Sequence, residues 1–229
     1  MRLRAAALAF ALLAGAAPAP AHDVEPLPAL DYEPPAPGTY TLHRIMAAPD
    51  GEVLGLDGRP QRLARYTRER ITLLGFIYTT CVDPDGCPLA YRVFDALRST
   101  VGATPGLRDK VRLVTLSFDP VHDQFDAIAA YAERMRGKRA GADWHFITTP
   151  SKRALAPILD GLGQDLRVAI DSQAVPGTEE FTHSLKVFLI DPDGRVREIY
   201  STGYLVPQMI VNDMKTIAAE YPRPSSAQR

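Results

Sequence analysis

The only two cysteines of this chain lie close together, as Cys81 and Cys87, in the segment TTCVDPDGCP at residues 79–88, called here the cysteine loop. A neighbouring thiol pair supports a structural disulfide, thiol–disulfide exchange or the binding of a soft metal ion. The sequence Asp-Pro-Asp-Gly at 83–86 predicts a turn that brings the two sulfurs together. A disulfide across so short a loop restricts the unfolded chain little, so we favour a functional pair over a structural staple.

The segments that flank the cysteine loop predict how the thiols are positioned. Residues 71–78 are mostly apolar, as in a strand buried on both faces, and residues 89–101 carry apolar residues at helical spacing. Pro88 suits the first turn of that helix, which places Cys87 at its N-cap. A helix N-terminus presents unpaired N–H groups and partial positive charge, which stabilise a thiolate and lower its pKa. This pattern predicts a reactive or metal-binding thiol.

The remaining elements predict an α/β protein with a thioredoxin-like fold. A second strand and helix repeat the βα order, an Asp-Pro-Asp-Gly turn joins two later strands, and a last helix closes the domain. We therefore expect a central mixed sheet flanked by helices, with an N-terminal β-hairpin. The predicted ranges are the hairpin at 52–63, a strand at 111–118, a helix at 125–135, strands at 184–190 and 196–200, and a helix at 206–219.

The N-terminal residues predict an exported protein. Residues 1–21 have the layout of a signal peptide, with Arg2 and Arg4 before an apolar stretch shorter than the roughly 20 residues that span a bilayer. We expect cleavage after Ala21, with an uncleaved anchor as the alternative. The protein would then lie in the bacterial periplasm, either soluble or tethered to the membrane.

Composition and proline content define the other boundaries. Prolines without an apolar period predict an extended tether at 22–39, so the folded domain should span 40–221. The polar residues at 222–229 predict a disordered tail. With 46% hydrophobic residues and a formal net charge of −1, the chain is typical of one globular domain. Nothing in this charge balance indicates a nucleic-acid partner.

Three motifs together resemble the Sco/SenC family over roughly residues 40–221. They are Thr-Thr-Cys and Cys-Pro in the cysteine loop, Ser-Phe-Asp-Pro-Val-His-Asp at 117–123, and His-Ser-Leu at 183–185 with Leu-Ile-Asp-Pro-Asp-Gly at 189–194. The resemblance implies a thioredoxin fold that holds one copper ion through Cys81, Cys87 and His183. It also implies a metallochaperone that helps to deliver copper to cytochrome c oxidase.

The implied ligands suit copper. Cu(I) prefers soft thiolates and accepts imidazole, and Cu(II) binds nitrogen and sulfur ligands strongly, so either oxidation state is compatible with the site. The implied partners are a copper-receiving protein, such as a subunit of cytochrome c oxidase, and a thiol–disulfide reductant. This chain would then be a copper carrier rather than an enzyme.

Two departures from the family pattern indicate a divergent branch. Five residues separate the cysteines here, whereas the family has three, and Thr182 stands where an Asp commonly precedes the histidine. The longer loop changes the constraint on the sulfurs, and the missing carboxylate removes a group that would orient the His183 ring. Such a branch would serve another copper enzyme or act mainly on thiols.

The main alternative is a periplasmic thiol–disulfide oxidoreductase with Cys81 and Cys87 as its redox pair. Thioredoxin-like enzymes usually have two residues between the cysteines and a cis-proline facing them, but residues 181–184 contain no proline. A peroxiredoxin fits less well, because its motif requires a proline and a threonine where Leu74 and Tyr78 stand. Among the other motif residues, we expect Asp119 and Asp123 to cap the following helix, and Trp144 and Phe146 to be core aromatics.

Overall fold

The computed structural model describes residues 26–81, 83–136, 141–164, 166–169 and 180–222. The predicted signal peptide and nearly all of the predicted tail lie outside these ranges. Within them, no helix combines the length and the apolar character that a membrane crossing requires.

The described chain contains ten strands and five α-helices. The strands are β1 Met46–Ala47, β2 Glu52–Leu54, β3 Pro60–Arg62, β4 Ile71–Ile77, β5 Val111–Ser117, β6 Asp143–Ile147, β7 Leu166–Ala169, β8 Glu180–His183, β9 Lys186–Ile190 and β10 Arg195–Ser201. The helices are α1 Ala64–Thr67, α2 Cys87–Ala103, α3 Phe125–Arg136, α4 Lys152–Leu162 and α5 Pro207–Glu220, with a 3₁₀ turn at Thr202–Tyr204.

Six strands form a central mixed sheet in the order β1-β10-β9-β4-β5-β6. Strands β4, β5 and β6 run parallel, whereas β9 is antiparallel to β4 and β10 is antiparallel to β9. Every residue of β4 and β5 is buried, as expected for central strands covered on both faces. The predicted mixed sheet with helices is therefore confirmed.

The helix after the cysteine loop packs closely against the central strand. A Cβ atom added at Gly75 of β4 would lie 2.9 Å from Phe94 Cζ of α2, so only glycine lets the ring approach the strand. Helix α2 begins at Cys87 and Gly86 occupies the N-cap, one residue earlier than predicted. Cys87 is thus the first helical residue rather than the N-cap.

Several elements differ from the sequence prediction. The N-terminal hairpin is present as β2 and β3, but it forms its own two-stranded sheet, and a bridge between Leu54 and Thr148 joins it to the residue after β6. The prediction missed strand β6, helix α4 and the separate hairpin of β7 and β8. These elements complete the domain between the second βα unit and β9.

The last residues of the predicted tether contact the domain. Pro34 is buried, the Gly38 amide donates to Thr216 Oγ1 at 2.9 Å, and the Asn212 side-chain amide donates to the Pro35 carbonyl at 3.1 Å. Tyr40 also donates its hydroxyl hydrogen to Asp213 of α5. The chain before β1 is therefore fixed along helix α5.

Candidate metal centre

The predicted site residues converge on one edge of the central sheet. The carboxyl end of β4 leads into the cysteine loop, and the carboxyl end of β5 leads into the loop at 118–124. Because β9 is antiparallel to β4, with Val187 opposite Gly75, the chain enters β9 at that same edge. The backbone of His183 lies just before β9, as the last residue of β8. The side chain of His183 lies outside what the structure describes.

The two thiols are in direct contact. Both are free in this structure, with Cys81 half-buried and Cys87 buried. The Cys81 sulfur accepts hydrogen bonds from the Cys87 thiol, from the amides of Cys87 and Asp83, and from the Tyr78 hydroxyl. The Cys87 thiol is the largest cause among these donors, and together they lower the pKa of Cys81 to about 6. Cys81 is therefore a thiolate at neutral pH.

Cys87 has the opposite tendency. Its hydrogen bond to Cys81 and its burial both raise its pKa above that of an ordinary thiol. The sequence pattern pointed to Cys87 as the activated thiol, because it stands at the helix N-terminus. The structure corrects this: the helix amide of Cys87 points to the Cys81 sulfur and stabilises the charge there. The pair thus holds one proton and one negative charge near neutral pH.

Asp123 joins the cysteine loop to the neighbouring strand. Its buried carboxylate accepts hydrogen bonds from the Thr79 amide at 3.0 Å, from the Thr79 hydroxyl and from Ser117 Oγ at 2.6 Å. The prediction that Asp123 caps the following helix is wrong, because the carboxylate accepts from Thr79 and Ser117 rather than from the first amides of that helix. The loop is therefore anchored two residues before Cys81.

The Asp119 side chain accepts hydrogen bonds within its own loop rather than from the amides of helix α3. Its Oδ1 accepts from the amides of Val121 and His122, both at 3.3 Å, and its Oδ2 lies 2.7 Å from the His122 ring nitrogen Nδ1. The expected role of Asp119 at the start of α3 is therefore wrong as well. The Asp119 bonds shape the loop that lies beside the cysteines.

Two tyrosines, Tyr78 and Tyr131, lie near the thiols. Burial and the negative charge of the nearby cysteine pair raise the pKa of Tyr131, which therefore stays a neutral phenol. The Tyr78 and Phe118 rings lie 5.4 Å apart between centroids. Trp144 and Phe146 are buried in the core, as predicted. No sequence pattern pointed to Tyr78 and Tyr131 as neighbours of the thiols, because their roles depend on contacts across the fold.

The donor set fits copper as far as the structure describes it. Two sulfur atoms meet, and one of them is already a thiolate, which suits the preference of Cu(I) for soft ligands. No group of three or more His, Cys, Asp and Glu side chains forms a metal cluster among the described residues. The structure thus brings Cys81 and Cys87 together and leaves the third predicted ligand, His183, as a backbone position at the same edge.

A thiol pair between a central strand and the helix that follows, on a mixed sheet of this order, defines a thioredoxin-like protein. The SCO1/SenC family model matches residues 58–219, and the chain belongs to that family. No curated protein sequence matches the chain.

Solved structures show the same fold. The chain is similar to Arabidopsis thaliana ScoI with copper bound, at 16% identity and a TM-score of 0.63 over 76% of this chain and 99% of that one. It is also similar to Bradyrhizobium japonicum ScoI with copper bound, at 17% identity and a TM-score of 0.60 over 75% and 99%. Apo Sco1 from Thermus thermophilus has 22% identity and a TM-score of 0.59 over 78% and 94%.

Proposed function

We propose that this protein is a copper-binding metallochaperone of the Sco/SenC type, with Cys81, Cys87 and His183 as the ligands of one copper ion. The observation that carries this proposal is the direct contact of the two thiols, one of which is stabilised as a thiolate. Family membership supports the same function, since structures of the Arabidopsis, Bradyrhizobium and yeast relatives contain copper.

Each ligand has a distinct part in loading the metal. Cys81 offers a thiolate near neutral pH without losing a proton, and its partial exposure leaves it accessible to incoming metal. Cys87 must release its proton when copper replaces the hydrogen bond between the two sulfurs, so binding is coupled to proton release. His183 would supply a neutral imidazole nitrogen. Copper is the cargo of this site, which supplies soft sulfur donors.

We infer that the recipient is a protein that acquires copper outside the cytoplasm, such as a subunit of cytochrome c oxidase. One structural relative, BsSco, is described as a member of a family of cytochrome c oxidase assembly proteins. Another is a SCO1/SenC family lipoprotein from Bacillus anthracis. That relative and the signal pattern at residues 1–21 support export of this chain to the periplasm.

An anaerobic titration with Cu(I) against a competing chelator tests the proposal. The reduced protein should retain one copper, and the Cys81→Ser and Cys87→Ser variants should lose it. His183→Ala should weaken binding, whereas His43→Ala removes an exposed histidine and serves as the matched control. If a variant with both Cys81→Ser and Cys87→Ser retained copper as well as wild type does, the thiol site would be rejected.

A thiol–disulfide oxidoreductase is the second candidate. It is favoured because the pKa of Cys81 is lowered and that of Cys87 is raised, which distinguishes an attacking thiolate from a second thiol. The half-buried Cys81 thiolate would attack a partner disulfide and release one partner thiolate, forming a mixed disulfide. Cys87, after losing its proton, would attack the Cys81 sulfur and release the second partner thiolate. Rapid exchange with partner disulfides by a protein that fails to compete for Cu(I) would favour this function.

A further inference from the structure

Asp83 contacts both ends of the cysteine loop. Its amide donates to the Cys81 sulfur, and its carbonyl accepts from the Gly86 amide at 3.0 Å. Its side-chain Oδ1 accepts from the Asp85 amide at 3.1 Å. One exposed residue thus combines a β-turn with a side-chain turn of the kind that Asp forms with the amide two residues ahead.

The Asp83 side chain also packs against Gly86, the N-cap residue of α2. A Cβ atom added at Gly86 would lie 3.2 Å from Asp83 Oδ2 and 3.4 Å from Asp83 Cβ. Gly86 is the N-cap of α2, and its carbonyl accepts the helix bond from the Ala90 amide at 3.1 Å. Asp83 therefore contacts Gly86, and Gly86 directly precedes Cys87, so a change at Asp83 can shift Cys87.

A loop of five intervening residues has more conformations than a shorter one, and bringing its ends together costs more entropy. The turn at 83–86 removes much of this freedom before any metal or disulfide forms, because preorganisation lowers the cost of bringing two groups into contact. We infer that Asp83 is the positioning residue of the thiol pair: its carboxylate folds the long cysteine loop so that the sulfurs of Cys81 and Cys87 meet.

Asp85 provides a matched control within the same loop. It carries the same charge as Asp83 and is also exposed, and what it contributes to the turn is its backbone amide. Asp85→Ala removes a carboxylate from the loop but keeps that amide. Asp83→Asn removes the charge but keeps a side-chain oxygen that accepts from the Asp85 amide. Only Asp83→Ala removes the acceptor.

The test is the equilibrium between the full protein and glutathione, without copper. One molecule of oxidised glutathione converts the dithiol to the disulfide and yields two molecules of reduced glutathione. Asp83→Ala should lower the equilibrium constant for disulfide formation about fivefold, because one hydrogen bond of ordinary net strength is lost from the turn. Asp83→Asn and Asp85→Ala should stay close to wild type.

A second readout is Cu(I) affinity, and only this readout depends on the proposed copper function. The same order of variants is expected, with Asp83→Ala weakest. Failure of all proteins to bind copper would count against the metallochaperone and leave the glutathione result to decide the role of Asp83. Three glutathione outcomes would overturn that role: no change in Asp83→Ala, an equal change in Asp85→Ala, or an equal loss in Asp83→Asn.

Discussion

At the residue scale, the two cysteines have unequal roles because their surroundings differ. Cys81 collects hydrogen-bond donors from the loop, from the helix N-terminus and from Tyr78, whereas Cys87 is buried and gives its own hydrogen to Cys81. A thiolate is the form that binds metal and attacks disulfides. The half-buried thiolate and the buried thiol therefore suit both stepwise metal loading and directional exchange.

The ionisation of Cys81 predicts its rate of alkylation. In the reduced protein, the rate of iodoacetamide modification at Cys81 should rise with pH through a midpoint near 6 and then level off, because the thiolate is the reactive form. Mass spectrometry of the modified peptide measures this rate. Cys87→Ala should move the midpoint upward, since it removes the principal hydrogen-bond donor to the Cys81 sulfur. A wild-type midpoint near the ordinary thiol value of about 8.5 would contradict this assignment.

Asp123 should contribute strongly to stability. Asp123→Ala leaves the Thr79 amide, the Thr79 hydroxyl and the Ser117 hydroxyl without their acceptor, and each buried unpaired donor is costly. We expect a loss of about 3 kcal/mol in the free energy of unfolding, measured by urea denaturation of the reduced protein. Glu133→Ala removes an exposed helix carboxylate and should change stability little. Equal effects of the two substitutions would contradict the anchoring role of Asp123.

At the element scale, the cysteine loop depends on how β4, α2 and β5 pack. Gly75 lets the Phe94 ring approach β4, and the Asp123 bonds connect the loop to the end of β5. The parallel pairing of β4 with β5 aligns their carboxyl ends, so both loops emerge at one edge. Site geometry therefore follows from central packing that does not include the thiols.

Substitution of Gly75 tests this packing. Gly75→Ala should lower the free energy of unfolding by about 2 kcal/mol, because the added methyl group overpacks the contact with Phe94. Gly203→Ala is the control, since a Cβ atom at Gly203 meets no atom within 4 Å. Chemical denaturation measures both variants. A neutral Gly75→Ala would show that α2 can move away from β4 without cost.

Sequence patterns predicted the elements that have strong local signals. The apolar runs of β4 and β5, the helical spacing of α2 and the turn between β9 and β10 were all identified. Helix α4 was missed because Pro157 stands in its interior, although Ser151 caps it and Gly163 ends it in the left-handed conformation. Strand β6 was missed because it is short and alternates polar with aromatic residues.

For the candidate site, the sequence predicted the pair of cysteines and the turn between them. It predicted the wrong thiol as the ionised one, Cys87 instead of Cys81, because the donors to Cys81 come together only in the folded loop. Nor did it predict the partners of Asp123, which are 44 residues away at Thr79 and six residues away at Ser117. Hydrogen bonds that depend on how two loops meet in the folded protein carry no local sequence signal.

At the scale of the whole molecule, the N-terminal segment is held against the domain by a buried carboxylate. Asp213 of α5 accepts hydrogen bonds from the hydroxyls of Tyr40 and Tyr200, the first from the segment before β1 and the second from β10. Burial raises the pKa of the Asp213 carboxyl even though both phenols donate to it. Attachment of the segment is therefore linked to pH.

This link has a defined sign. A raised pKa means that the folded protein binds the proton more tightly than the unfolded chain, so this contribution to stability is complete below the unfolded pKa of about 3.9 and is lost as the pH rises through the folded value. The stability of wild type relative to Asp213→Asn should therefore decrease as the pH rises through this acidic range. Urea denaturation of both proteins at several pH values measures the difference. An increase with pH would contradict the raised pKa.

The central claim is that Cys81, Cys87 and His183 hold one copper ion together. X-ray absorption at the copper edge of the Cu(I)-loaded, reduced protein tests it most directly, because the first shell separates sulfur from nitrogen ligands. We expect two sulfur neighbours and one nitrogen neighbour, with the nitrogen lost in His183→Ala and both sulfurs retained. A first shell without two sulfurs, or one that His183→Ala leaves unchanged, would contradict it.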